Sequence, residues 1–361
     1  MSPIPPEPVL TIVFGLSAAA LMVLILPFKV KKIEENLEPF FLVMGASVVT
    51  ISGLGSWKLV LEALKAPVVI GSLPIGIFQV VLVVGLLIHF FNVPFCNAIL
   101  SLAKKLGPGL FIFLLITVFG LLSSVVSVIL TACLLAEITA ALPFARKDKI
   151  KLVVVSCFGI ALGAVLTPLG EPLSTILVAK LTGPPYFAGF FFPLKVFGLY
   201  MIPGVMATAL FAALWLGPKI SLKTGTVVTE YNETIKTVIL RAVKVFAFVA
   251  ALVLLGDGFR PLIVWYFAKI SPGILYWFNT ISAILDNATL TAIEIGPAMS
   301  LPQITGIIMG LSIAGGMLIP GNIPNIVAAG RLKISMKEWA VIGLPMGLVM
   351  MAIYFVILYI L

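Results

Sequence analysis

The sequence predicts an all-α polytopic membrane protein built from two inverted repeats, each holding a re-entrant hairpin and a broken transmembrane helix. Three observations carry this expectation: an apolar composition, two sets of matching motifs, and a one-sided distribution of lysine and arginine. Of 361 residues, 61% are apolar and only 10% are charged. Soluble domains carry roughly 25% charged residues, so a soluble enzyme is excluded and the lipid bilayer is the first partner implied. The net charge of +9 sits in short loops between apolar runs, which reads as a topology signal and not as a nucleic-acid surface. Cys96, Cys133 and Cys157 stand singly in apolar segments, without metal or redox spacing, and His89 ends an apolar run as an interfacial side chain.

In chain order, residues 1–66 hold two N-terminal transmembrane helices, at 9–27 and 39–57. The first run lacks a basic leader and a small-residue cleavage site, so it is expected to be retained as a span. Residues 67–217 form the first repeat: a span at 67–91, a hairpin at 108–144, a broken helix at 150–182 and a closing span at 186–217. Between span and hairpin, 92–106 is expected to lie in the interface as an amphipathic helix. A cytoplasmic loop, 218–235, leads to the second repeat, 236–361, with its hairpin at 272–298, broken helix at 302–331 and a last span at 338–361. Gly273 to Leu285 is 13 residues, about 20 Å of helix against a core of about 30 Å, so that segment is expected to turn back.

Placing both termini outside, with eight crossings and two hairpins, gathers the basic residues on the inside. Lys29, Lys31, Lys32, Lys104, Lys105, Arg146, Lys147, Lys149, Lys151, Lys219, Lys223, Lys236, Arg241, Lys244, Arg331, Lys333 and Lys337 all fall there, 17 of the 23. Turning one hairpin into a crossing would spoil the bias. The repeats themselves are visible in the residues. Ser127-Val-Ile-Leu-Thr131 matches Ser282-Ala-Ile-Leu-Asp286, with Pro143 and Pro297 closing the arms. Gly163-Ala-Val-Leu-Thr-Pro-Leu-Gly-Glu-Pro172 matches Gly315-Gly-Met-Leu-Ile-Pro-Gly-Asn-Ile-Pro324, and each broken span then ends on a basic residue, Lys180 or Arg331. Inverted repeats with interrupted helices are the architecture of secondary transporters.

Four of the 14 acids lie inside apolar segments: Glu137, Glu171, Asp286 and Glu294. A charge at the centre of a membrane helix costs roughly 2.5–3.5 kcal/mol, so such a residue marks a site by default. Asp286 and Asn287 form the second hairpin tip, where carboxylate, amide and opened carbonyl oxygens together make a ligand set for a hard cation. Asp286–Asn287 also reads as a helix cap, and Glu171, between Gly170 and Pro172, as a capping carboxylate. Glu137 and Glu294, on the return arms, read either as a proton relay or as structural partners of Lys180 or Lys195. The first tip offers only neutral oxygens, from Ser127 and Thr131.

At these residues the sequence resembles the ion transporter superfamily, in particular its sodium/proton antiporter (NhaD-type) and arsenite-permease-like branches. The matching pieces are Ser282-Ala-Ile-Leu-Asp-Asn-Ala-Thr, Leu166-Thr-Pro-Leu-Gly-Glu-Pro172, Pro320-Gly-Asn-Ile-Pro-Asn-Ile-Val327 and the tail from Gly330 to Pro345. The chain looks closest to a prokaryotic set of cation transporters in that group. The first tip departs from the pattern, with Thr131 where NhaD-like antiporters tend to carry an Asp–Asn pair. The resemblance implies a transport site at the tips and breaks, carried over to Asp286, Asn287, Thr289, Thr167, Glu171, Asn322 and Asn325, and a homodimer in the cell membrane. Na⁺ would sit at Asp286, Asn287 and Asn322.

Residues and resemblance together lead to a secondary active transporter, a sodium (cation)/proton antiporter working by alternating access with Asp286 and Glu171 shared between cation and proton. The alternative is a sodium-coupled or uncoupled permease for a small anion of arsenite or carboxylate type, held at half-helix N-termini. An intramembrane enzyme is disfavoured, because acids spread over a two-fold repeat are not what an active site needs. No cofactor is expected beyond the transported Na⁺ and H⁺.

Overall fold

A computed structural model describes residues 4–5, 7–34, 36–69, 77–142, 144–219, 234–283 and 287–361. The helices run α1 (Leu10–Lys29), α2 (Lys31–Glu34), α3 (Leu37–Ser52), α4 (Trp57–Lys65), α5 (Ile77–Leu106), α6 (Pro108–Val126), α7 (Val128–Ala141), α8 (Arg146–Ala164) and α9 (Pro172–Leu181). They continue with α10 (Phe192–Leu216), α11 (Ile235–Gly258), α12 (Arg260–Trp265), α13 (Pro272–Phe278), α14 (Asn287–Glu294), α15 (Leu301–Ala314), α16 (Ile323–Leu332) and α17 (Met336–Tyr359). No strand occurs among the described residues.

Helix boundaries follow local chemistry. The expected span 39–57 stops early because Gly53 takes a left-handed conformation (φ 68°). Ser56 then opens α4 by accepting from the Leu59 N–H at 3.1 Å. Residues 92–106 correct the expectation of a separate interfacial helix: they continue α5, with Pro94 inside it. A proline removes one backbone bond, whereas a full stop in an apolar surrounding would strand several. A reciprocal cap opens α17, the Ser335 hydroxyl accepting from Glu338 N–H while the Glu338 carboxylate accepts from Ser335 N–H at 2.9 Å.

Among the described residues four helices are long and apolar enough to span a membrane: α10, α11 and α17, which match three of the eight expected crossings, and α6, which falls in the expected first hairpin. The apolar stretches of α1, α3, α7, α9 and α15 are shorter. The arms around Ser127 are unequal: α6 has 19 residues and α7 has 14. At 1.5 Å per residue α6 measures about 28 Å, a crossing length rather than a short arm. In the second half α13 has 7 residues and α14 has 8. Both expected helix interruptions are present. α8 stops at Ala164 and α9 restarts at Pro172, while α15 stops at Ala314, passes a short 3-10 turn (Ile319–Gly321) and restarts as α16.

α8 and α15 form the centre. From Leu152 to Ala164 every α8 residue is buried, as befits a helix that is apolar on all sides. Gly120, Gly159 and Gly163 let the backbones of α6 and α8 touch; a Cβ on Gly120 would stand 3.0 Å from the Gly159 carbonyl. Such small-residue seams supply the close packing that holds helices together when lipid removes the hydrophobic drive between them. α8 meets the break that follows α15, where the Phe158 ring lies on Gly316. Around this centre the partners cross over: α7 packs on α16, and α9 packs on α14. A side layer joins α1 and α3 to α11 through Leu16, Val23, Phe41, Val48, Leu255 and Phe259.

Candidate functional site

Two polar clusters form where a helix-to-helix turn meets a broken helix. At the first, α6 and α7 join at Ser127, a buried residue held at φ 84°. The Val128 N–H donates to the Gly170 carbonyl at 2.7 Å, tying this turn to the break in the α8–α9 pair. Thr131 Oγ1 donates to the Ser127 carbonyl at 2.9 Å, and Thr167 Oγ1 donates to the Ser124 carbonyl. Carbonyls freed by the break are taken up by hydroxyls, Ser174 Oγ donating to Val165 O at 2.9 Å and Thr175 Oγ1 to Pro168 O at 2.5 Å. Glu171 is only 2% exposed and stands at the N-cap of α9, but its carboxylate makes no capping bond there. The capping role that its position suggests is therefore not the one it plays.

The second cluster is richer in amides. Asp286 lies outside the described residues, as does the side chain of Thr289; the backbone of Thr289 belongs to α14. On either side of that gap, Ser282 Oγ donates to Asn287 Oδ1. The Asn287 amide rests on Gly315, where a Cβ would stand 2.7 Å from Nδ2 and 2.8 Å from Oδ1. Asn325 Nδ2 donates to the carbonyls of Gly315 and Leu318, both at 2.8 Å, inside the same break. Asn322 caps α16, its Oδ1 accepting from the Ile323 N–H at 2.8 Å. A Cβ on Gly321 would stand 2.6 Å from Gly315 O and 3.0 Å from Ala283 O, so turn and break lie backbone to backbone.

Three buried amide atoms here, Asn287 Nδ2, Asn322 Nδ2 and Asn325 Oδ1, find no hydrogen-bond partner among the described residues. The Asn325 amide cannot be turned over, because two carbonyls hold its nitrogen and carbonyls only accept. Its oxygen is therefore a buried acceptor without a donor, an arrangement that costs about 1–3 kcal/mol unless something electropositive meets it. Asn287 has more freedom: Ser282 Oγ also lies 3.4 Å from Leu311 O, so a reversed amide would donate to that hydroxyl and release its own oxygen.

Each cluster thus gathers its own residues: Ser127, Thr131, Thr167 and Glu171 at one break, Asn287, Asn322 and Asn325 at the other. The return-arm acids stand apart from both. Glu137 pairs with Arg331, Nε to Oε1 at 2.6 Å, and not with Lys180 or Lys195. The partner differs because α7 packs on α16, which brings a basic residue of the other half to it. Glu294 accepts from Asn279 Nδ2 at 2.9 Å. Two further contributors are not among the expected site residues. Ser282 is visible in the sequence as the first residue of the repeated tip motif; Asn279 has no motif and is found only through its bond to Glu294.

An all-helical chain with several membrane-length apolar helices and buried amides at interrupted helices is a polytopic membrane protein. The chain belongs to the family described as protein of unknown function DUF1646, whose model matches residues 13–361. No curated protein matches the sequence.

Proposed function

We propose that this chain is a secondary active transporter, a sodium (cation)/proton antiporter that works by alternating access, with Asp286 and Glu171 shared between cation and proton. The observation that carries the reading is the second cluster. It holds a fixed, buried acceptor oxygen on Asn325 and a second amide, Asn287, next in sequence to the acid Asp286. Hard monovalent cations take such oxygens together with opened backbone carbonyls at interrupted helices. The crossed packing of α7 on α16 and α9 on α14 supports the inverted repeat, since matching elements of two such units exchange partners. It supports reading the turn at Ser127 and the segment that carries Asp286 as re-entrant tips, and the resemblance to sodium/proton antiporters points the same way, a homodimer included.

The anion permease is the weaker reading. Lys180 and Arg331 each sit eight residues beyond the first residue of α9 or α16, about 12 Å from the N-termini that would hold an anion. Purified protein in liposomes is expected to show Na⁺-dependent proton flux that Asp286→Asn abolishes. No such flux, or flux that survives D286N, sinks the antiport reading, and uptake of radiolabelled arsenite or a dicarboxylate would put the permease in its place.

A further inference from the structure

Away from both clusters, the C-terminal end of α14 buries a carboxyl group with too few partners for a charge. Glu294 is 1% exposed. Among the described residues its Oε2 accepts one hydrogen bond, from Asn279 Nδ2, and its Oε1 accepts none. The Asn279 amide is also fixed, because Nδ2 donates to the Leu275 carbonyl at 2.9 Å, and its Oδ1 is a second buried acceptor without a donor among the described residues. Two acceptor oxygens lacking a donor therefore belong to the two ends of one hydrogen bond, and a proton on the carboxyl supplies the hydrogen that is missing.

The neighbouring cation does not supply it. Lys180, reaching over from α9, donates to the carbonyls of Ala292 and Ile295, at 2.5 and 2.6 Å, on either side of Glu294 in the chain. With Lys180 so engaged, an ionised carboxylate in this position would have no cation in direct contact, which costs several kcal/mol. Lys180 runs across Gly256, its Cε 2.6 Å from where a Cβ would be, which places it beside Asp257 and Arg260. Those two residues line a crevice with Ser56, Lys58 and Glu62. Of the other elements packed on α14, α11 carries Lys236, Arg241 and Lys244 in its first half besides Asp257 near its end, α12 carries only Arg260, α15 carries no charged residue and α1 carries only Lys29, its last.

We infer that Glu294, held by Asn279, is a proton-binding site separate from the hairpin tip, and that Lys180 is its counter-charge. With the proton bound, Lys180 is engaged by the carbonyls of α14. When the O–H bond breaks, the proton passes to water in the crevice by way of the Lys180 region, and the ammonium turns from the carbonyls to the new carboxylate. Since Lys180 belongs to α9 and Glu294 to α14, protonation changes the contact between the two halves. This goes beyond the antiport reading, and its test requires no transported ion.

The test is infrared spectroscopy of the purified full-length protein, following the C=O band of protonated carboxyl groups as pH is raised. Glu294→Gln is expected to remove a component of that band that D286N leaves in place. Lys180→Met, which takes away the charge that favours the carboxylate, is expected to carry the loss of that component to higher pH. A band unchanged in E294Q overturns the site. A component that titrates at the wild-type pH in K180M overturns the role of the lysine, and stands as a readout even if E294Q fails to fold.

Discussion

Replacing Gly315 by alanine tests the second cluster at its tightest point. The added Cβ would lie 2.7 Å from Asn287 Nδ2, 2.8 Å from Oδ1 and 3.0 Å from the Leu311 carbonyl, where carbon contacts are comfortable near 3.5–4.0 Å. The Leu311 carbonyl is helix backbone and yields little, so the Asn287 amide must move. Moving it strains the Ser282 bond, worth about 0.5–1.5 kcal/mol, and overpacking adds about 1–3 kcal/mol. A destabilisation of about 2–4 kcal/mol follows, together with a weaker dependence of transport on Na⁺. Gly330 is the internal control: it sits in α16 with nothing within 4 Å of its Cβ position, and alanine there should be neutral or stabilising by up to about 1 kcal/mol. Unfolding in mild detergent and Na⁺-dependent proton flux in liposomes measure the two effects. G315A with the stability and Na⁺ dependence of G330A would refute the placement of Asn287 on that backbone.

Other changes probe the rest of the molecule. Ser127→Gly should stabilise by up to about 1 kcal/mol, since a left-handed backbone suits glycine; if flux falls while stability rises, the Ser127 hydroxyl takes part in binding. The Arg331–Glu137 pair is partly exposed, with the arginine side chain 44% accessible, so a double-mutant cycle with R331A and E137Q should return a coupling of about 1 kcal/mol or less. If cation and proton compete for one carboxylate, the apparent Na⁺ affinity of the wild type should fall on acidification by up to about tenfold per pH unit, because only the deprotonated fraction binds; an affinity independent of pH would remove the competition. Ser335→Ala should cost about 1 kcal/mol through loss of the cap on α17, read by the same unfolding assay.

The features most legible in the sequence were those that proline and glycine announce. The interruptions after Ala164 and Ala314 follow from two prolines close together in each break, Pro168 with Pro172 and Pro320 with Pro324, because each ring removes a helix hydrogen bond and crowds the turn before it. Composition predicts the helical class just as directly. Less legible were the places where lipid overrides a local breaker: Pro94 is carried inside α5, and α6 runs to a full crossing length. Contacts between the halves were not legible at all. Glu137 finds Arg331 and Lys180 finds the carbonyls around Glu294 across more than a hundred residues. Such pairings are set by which helix lies on which, and no spacing along the chain encodes that.

The crossed packing also bears on how the chain is made. Val128 opens α7 and Ile323 opens α16, 195 positions later (323 − 128). At about 5–20 residues per second, roughly 10–40 s separate the synthesis of α7 from that of the helix that covers it. During that interval α7 presents Glu137 without its arginine, and α9 waits in the same way for α14. The first half therefore reaches its final contacts only near the end of translation, and chains cut short before α16 leave an uncovered helix that membrane quality control can recognise.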